Sequence, residues 1–264
     1  MKQRIITGVL AGAFFIAMTI IGGNWYATLM ILLALIGFFE FARMNGHRWY
    51  DGMTVVGFVA LLYFVIPWQA WNMTAPSIML VLWSLVAILL LITVLSKNRY
   101  TIDKAALVVL GAIYIGFGFS AMIEVRLLEQ HGLLWALLVF GSIWSSDIGA
   151  YFTGKAIGKH KLWPDISPNK TIEGAIGGVL LAIVTASLIT LFSPEFLAID
   201  RAILIGAIAA VAGQLGDLMQ SAYKRVKGIK DTGTLLPGHG GVLDRCDSWI
   251  IVFPLLVLTG LIPV

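Results

Sequence analysis

Long apolar runs alternate with short charged or glycine-rich segments along the 264 residues. Runs of about 17–25 apolar residues can cross a bilayer as helices. They fall at 5–22, 26–41, 53–68, 77–95, 105–122, 133–153, 174–192, 202–220 and 248–262. This pattern predicts an all-α polytopic membrane protein with about nine transmembrane helices, the third and ninth being short. Lys2 and Arg4 ahead of the first run imitate a secretory leader. The run is long enough to span, lacks a small-x-small cleavage site and is followed at once by another, so it reads as the first span.

An odd number of spans puts the termini on opposite sides. With the N-terminus inside, the cytoplasmic segments are 1–4, 42–52, 96–104, 154–173 and 221–247. All of the 18 Lys and Arg except Arg126 and Arg201 then face the cytoplasm. The positive-inside rule therefore predicts a cytoplasmic N-terminus and an external C-terminus. Trp25, Trp68, Trp71 and Tyr100 fall near span ends, as interfacial anchors do. The two long cytoplasmic segments, 154–173 and 221–247, both lie in the second half, and spans one to five carry almost nothing ionisable. This asymmetry divides the chain into a transmembrane scaffold, 1–125, and a catalytic part, 126–264. In the scaffold, Gly111, Gly116 and Gly118 would permit close helix packing.

Composition agrees: 59% of residues are hydrophobic and 12% charged, with a mean hydropathy of +0.92, whereas soluble domains carry about 25% charge. The net charge of +4 sits in loops between spans and predicts lipid bilayer, not nucleic acid, as the partner. A single cysteine, Cys246, excludes an intrachain disulfide.

Segment 221–247, SAYKRVKGIKDTGTLLPGHGGVLDRCD, is out of character with the rest. It holds five cations, three acids, a His and five glycines. Glycines let backbone amides approach phosphate, Lys and Arg neutralise it, and aspartates hold a divalent cation. Asp217, near the end of span eight, is costly in a bilayer unless paired, hydrated or metal-bound. Asp217, Ser221 and Lys224 share one helix face, so the plain alternative is an Asp217–Lys224 ion pair joining two helices. Asp244 and Asp247 are three apart, and with Asp217 they offer hard oxygen ligands for one or two Mg2+ ions. Asp247 could instead cap the ninth helix. Arg245 between them can bind phosphate or balance the acids. Residues 237–241, PGHGG, read as a tight turn. Next to Lys224, Arg225 and Lys230 they become a phosphate cradle of His239, Gly240 and Gly241, in which His239 either contacts phosphate or caps the turn.

Upstream, SSDIGAYFTGKAIGKHKLWPDISPNKTIEG places Asp147, Tyr151 and Gly154 on one helix face. Lys159 and Lys161 read as a basic rim facing anionic lipid heads. Lys170 sits in a Ser-Pro-Asn-Lys-Thr turn that would fix its direction.

These elements resemble the signature of the phosphatidate cytidylyltransferases, or CDP-diacylglycerol synthases. Its parts stand here as Ser221, Lys224-Arg225, Lys230-Asp231, His239-Gly240-Gly241 and Asp244-Arg245-Cys246-Asp247. Asp147, Ala150-Tyr151, Gly154-Lys155 and Ser167-Pro168-Asn169-Lys170-Thr171 with Glu173-Gly174 are similar to two further stretches of the family. Tyr223 and Cys246 depart from its usual aliphatic or similar residues. The resemblance implies transfer of the cytidylyl group of CTP to phosphatidic acid, giving CDP-diacylglycerol and pyrophosphate for phospholipid synthesis. It implies catalytic Asp217, Asp244, Lys170, Lys224 and Arg245. Asp217, Asp244 and Asp247 would hold Mg2+, with room for a monovalent cation. Asp147, Ser221, Arg225, Lys230, His239, Gly240 and Gly241 would join Lys170 and Lys224 in binding substrate. It also suggests a homodimer, and a site at the cytoplasmic face of a bacterial cytoplasmic membrane.

Two other classes share some of these features. A CTP-dependent polyprenol kinase or phospho-sugar transferase would also use cytoplasmic aspartates with magnesium. An ion-coupled secondary transporter would place its acids near the bilayer midplane on broken, repeated helices, and neither mark is visible.

Overall fold

A backbone in hydrocarbon has no water to bond, so each apolar run must satisfy its own amides, and the helix does this within the segment. The computed structural model describes residues 2–235, 238 and 240–264. Its helices are α1 (Lys2–Ile21), α2 (Gly23–Met44), α3 (Gly52–Val65), α4 (Ile78–Leu95), α5 (Ile102–Leu127), α6 (Gly132–Ile157), α7 (Ile172–Leu191), α8 (Ile199–Val226) and α9 (Leu243–Leu258). Strands β1 (Lys161–Trp163) and β2 (Ser167–Thr171) lie between α6 and α7. Among the described residues six helices, α2 and α4 to α8, are long and apolar enough to cross a membrane, and α1 and α3 contain shorter apolar stretches. The chain is a multi-pass membrane protein. Trp25, Trp83 and Val94 are among the large apolar side chains left exposed, as lipid contact requires.

Several boundaries differ from those expected. Helix α8 runs on to Val226 and α9 begins at Leu243, so segment 221–247 is helical at both ends. Asp247 therefore lies inside α9 and is not its cap. The Ser-Pro-Asn-Lys-Thr stretch is strand β2 and not a turn. It pairs antiparallel with β1, Lys161 opposite Thr171 and Trp163 opposite Ser167, with an irregularity between. Pro168 is tolerated because both strands of a two-stranded ribbon are edges.

The chain divides into two compact units, Met1–Ile123 with Asp231–Leu243, and Glu124–Lys230 with Asp244–Val264. In the first, Tyr26, Met30, Phe38, Met53, Leu61, Ile115, Phe119 and Met122 are fully buried. Glycines make room for the aromatics: a Cβ at Gly111 would meet the Phe41 ring, and one at Gly116 the Phe64 side chain. Asp51, just before α3, accepts from Arg48 N at 2.8 Å and from the Tyr100 hydroxyl at 3.0 Å. Burial pushes the Asp51 carboxyl up, but these bonds outweigh it and hold it below the usual value.

Glutamate 40 also belongs to this unit. Spans one to five are not free of buried acids: Glu40 is only 4% exposed. Its Oε1 accepts from Val242 N at 2.9 Å, and its Oε2 from Leu243 N and the Thr232 hydroxyl, each at 3.0 Å.

In the second unit α6, α7, α8 and α9 meet through backbone. A Cβ at Gly149 would lie 2.8 Å from Gly177 O, one at Gly206 3.0 Å from Ala182 O, and one at Gly216 2.7 Å from Asp247 O. Phe140 stacks with Trp144 and packs on Trp249 and Phe253. Pro254 lies inside α9.

Candidate functional site

Polar side chains gather in the second unit around the C-terminal part of α8. Gln214 ties three helices, donating from Nε2 to Ser146 Oγ on α6 at 3.2 Å and to Ala175 O on α7 at 3.1 Å. One turn later comes Asp217. Strand β2 delivers Lys170 to it, Nζ lying 2.7 Å from Asp217 Oδ2 and 3.4 Å from Gln214 O. The next turn brings Ser221, whose hydroxyl donates to Asp217 Oδ1 at 3.2 Å.

Lys224, a further turn along, does not pair with Asp217 as the helix face suggested. Its ammonium lies 2.7 Å from Asp244 Oδ1 on the first turn of α9, with the two side chains 12% and 5% exposed. The partner of Asp217 is Lys170 because β2 is a strand, which extends far enough to bring that ammonium against α8. Arg225 is exposed and donates from Nε to Ile166 O, between the strands, at 3.3 Å.

Asp247 is buried, and its Oδ1 accepts from Ser248 N at 2.8 Å. The charges of Asp147, Asp217 and Asp247 act on one another; Lys170 and Arg245 bear on Asp147, and Lys224 bears on Asp247. The site thus contains four carboxylates and several cations, interleaved.

The hairpin is held in place by its ends. Thr171 caps α7, its hydroxyl accepting from Gly174 N at 3.1 Å, and Ile172 N donates to His160 O at 2.9 Å. Glu173 accepts from Lys159 N and His160 N, and meets His160 Nδ1 at 2.6 Å. Gly154 is needed for packing, since a Cβ there would lie 2.9 Å from Thr171 Oγ1. Tyr151 is 61% exposed and packs against Phe152, with Lys155 over its ring. Of the expected face of Asp147, Tyr151 and Gly154, Tyr151 is thus exposed and Gly154 packs against Thr171.

Lys230 is exposed in the segment after α8. Gly240 and Gly241 belong to the first unit, where Gly240 has a φ of 84° and Gly241 is buried against the Glu40 carboxylate. His239 lies outside the described residues. Sequence reasoning passed over Gln214, although an amide within an apolar run is itself a signal.

Among the described residues no group of three or more His, Cys, Asp or Glu is arranged to hold a metal. The donor chemistry nevertheless suits a hard divalent cation, because the mutually repelling carboxylates are all oxygen donors. A groove of about 590 Å3 between α6 and α7 is lined by Ile148, Phe152, Ile176, Leu180 and Val184, with Glu173 at its rim. It holds none of the aspartates or lysines and is an apolar surface feature.

Residues 2–262 match the sequence model of the cytidylyltransferase family. The chain is 43% identical over 258 residues to the phosphatidate cytidylyltransferase of Bacillus subtilis, covering 97% of this chain and 96% of the relative. It is 40% identical to the proteins of that name from Staphylococcus haemolyticus and Staphylococcus aureus strain COL, covering 97% of both chains in each case.

Proposed function

We infer the function from one premise: this chain belongs to the cytidylyltransferase family. It is an enzyme that transfers the cytidylyl group of CTP to phosphatidic acid, forming CDP-diacylglycerol and releasing pyrophosphate, in phospholipid biosynthesis. A phosphate oxygen of the lipid attacks the α-phosphorus of CTP, and the bond to the β-phosphate oxygen breaks. Transfers of this kind need positioning and charge neutralisation more than a covalent intermediate.

The observation that carries the residue assignment is the pair of ion bridges, Lys170–Asp217 and Lys224–Asp244. In our reading each ammonium is held in reserve by a carboxylate until polyphosphate arrives, and then turns to the phosphate oxygens. Arg225 and Arg245 add charge that stabilises the transition state and the departing pyrophosphate. Ser221 orients Asp217, and Asp147 orients the nucleotide. Asp217, Asp244 and Asp247 would hold Mg2+, one ion or two, with room for a monovalent cation; bound there, the metal supplies charge neutralisation on the reacting phosphates. Lys230, His239, Gly240 and Gly241 complete our proposed substrate set.

We place the site at the cytoplasmic face of a bacterial cytoplasmic membrane, because CTP is cytosolic and the basic segments follow the positive-inside rule. Residues 1–125 serve as scaffold and 126–264 as the catalytic part. A homodimer fits the family likeness.

The test uses the purified protein in detergent with Mg2+ and labelled CTP. CDP-diacylglycerol and pyrophosphate should appear only when phosphatidate is added. Release of CDP with phosphorylation of a polyprenol instead would replace this reading with that of a lipid kinase.

A further inference from the structure

The signature segment contains an acid-binding feature that the reaction does not explain. Asp231–Leu243 belongs to the same compact unit as α2, and what it encloses there is the carboxylate of Glu40. That carboxylate receives the Thr232 hydroxyl and the backbone amides of Val242 and Leu243. Glycines at both ends of the segment lie against it. A Cβ at Gly233 would run into Oε1 of Glu40, and one at Gly241 into both of its oxygens. Gly37, almost one turn before Glu40, leaves the space filled by Leu243: a Cβ there would lie 3.1 Å from Leu243 Cδ2.

The opening turn of a helix has amides with no partner within the helix, and an acid near it is stabilised by the helix dipole. Leu243 is the first residue of α9, and Glu40 supplies its cap from another helix. The next residue in the chain is Asp244, the partner of Lys224.

We propose that Glu40 is a positioning residue whose carboxylate holds residues 232–233 and 241–243 together and fixes the entry of α9. It acts through the backbone of the segment and not on substrate. Gly233 and Gly241 are thereby given a structural role, closing around Glu40, which for Gly241 stands beside the substrate role proposed above. A buried carboxylate requires its hydrogen bonds, so the segment cannot be displaced without leaving Glu40 unsatisfied. The activity arm of the test rests on the cytidylyltransferase reading; the proteolysis arm does not.

The variants are Glu40→Ala, Glu40→Gln, Gly233→Ala and the double variant Glu40→Ala/Gly233→Ala, each as the full chain in detergent. Glutamine keeps the size but offers one acceptor oxygen where three donors converge. Limited trypsin treatment should cleave after Lys230 faster in both Glu40 variants than in wild type, while cleavage after Lys97 and Arg99, between α4 and α5, is unchanged. Turnover should fall about tenfold or more, which corresponds to ~1.4 kcal/mol of transition-state stabilisation. The Mg2+ concentration giving half-maximal rate should rise, an effect that plain loss of folded protein does not produce. Gly233→Ala should behave like Glu40→Ala, and the double variant should be no worse than Glu40→Ala alone, because the methyl then enters the space left by the carboxylate. Wild-type cleavage at Lys230 in both Glu40 variants would overturn the proposal, as would fully additive losses in the double variant. Unfolding of Glu40→Ala leaves the decision to Glu40→Gln and Gly233→Ala, read in the same two arms. Loss of the transferase reading itself would leave the trypsin result standing.

Discussion

The two lysines at the heart of the site are held in different ways. Lys170 and Asp217 have side chains 26% and 36% exposed, and a pair so open to water is worth about 0–1 kcal/mol. It can exchange partners at little cost. Lys224 and Asp244 are nearly enclosed, so removing one partner strands the other charge, at a cost of about 3 kcal/mol or more. Asp217→Asn should therefore abolish turnover and leave the detergent melting temperature close to wild type. Asp244→Asn should lose both, and Lys224→Met/Asp244→Leu should recover stability without activity. Retention by Asp217→Asn of more than about a tenth of wild-type rate, a loss under ~1.4 kcal/mol, would remove it from the mechanism. The lysines proposed as catalytic can be told from the basic rim by substitution. A planar, bulkier guanidinium is not equivalent to a compact ammonium held at one point near phosphate. Lys170→Arg and Lys224→Arg should lower steady-state rates strongly at saturating CTP and phosphatidate, while Lys159→Arg and Lys161→Arg match wild type. Equal tolerance at all four positions would make Lys170 and Lys224 rim charges.

At the scale of elements, contact between helices depends on a few missing side chains. Gly149 lies where a Cβ would stand 2.8 Å from a carbonyl of α7 and 3.0 Å from Leu181 Cβ, whereas Gly12 in α1 has nothing within 4 Å. Gly149→Ala must push α6 and α7 apart and should destabilise the protein by about 1–3 kcal/mol. Gly12→Ala should be neutral or gain about 0.5–1 kcal/mol from helix propensity. Thermal unfolding in one detergent compares them; equal melting temperatures would mean the α6–α7 contact is slack. The helices themselves were legible because a twenty-residue apolar run has no other way to satisfy its backbone in lipid. The hairpin was not, since Ser-Pro-Asn has turn composition and its pairing with Lys161–Trp163 depends on bonds that tether it to α7. The pairing of the site was half legible. Spacing along α8 correctly aligned Asp217 with Ser221, but no spacing reveals that Lys170 arrives from a strand and sends Lys224 to Asp244. Glu40 escaped notice because it stands near a span end and its donors are amides about two hundred positions away.

For the whole molecule, the prediction with the greatest consequence is sidedness. Lys159, Lys161, Lys170, Lys227 and Lys230 lie in the segments after α6 and α8, with Lys224 and Arg225 in the last turn of α8 and Arg245 in the first turn of α9. Cytosolic CTP can reach them only if these segments and helix ends face the cytoplasm. Single cysteines introduced in a Cys246→Ser background should react with a membrane-impermeant reagent from the cytoplasmic side at positions 160 and 230. Positions 72 and 197 should react from outside. External reaction at position 230 would invert the topology and with it the supply of nucleotide. Cys246 itself is 2% exposed, so the unmodified chain should give little background.

The Glu40 contacts also set an order of events during synthesis. Glu40 and Thr232 are 192 positions apart, and the two backbone donors lie 202 and 203 positions downstream. A ribosome adding roughly 5–20 residues per second reaches Thr232 about 10–40 s after Glu40 has been made. Through that interval α2 carries an acid whose permanent donors have not been translated. The first unit is therefore incomplete until Leu243 has been made, although most of it is synthesised first, and the nascent protein must keep a place open for a segment that arrives much later.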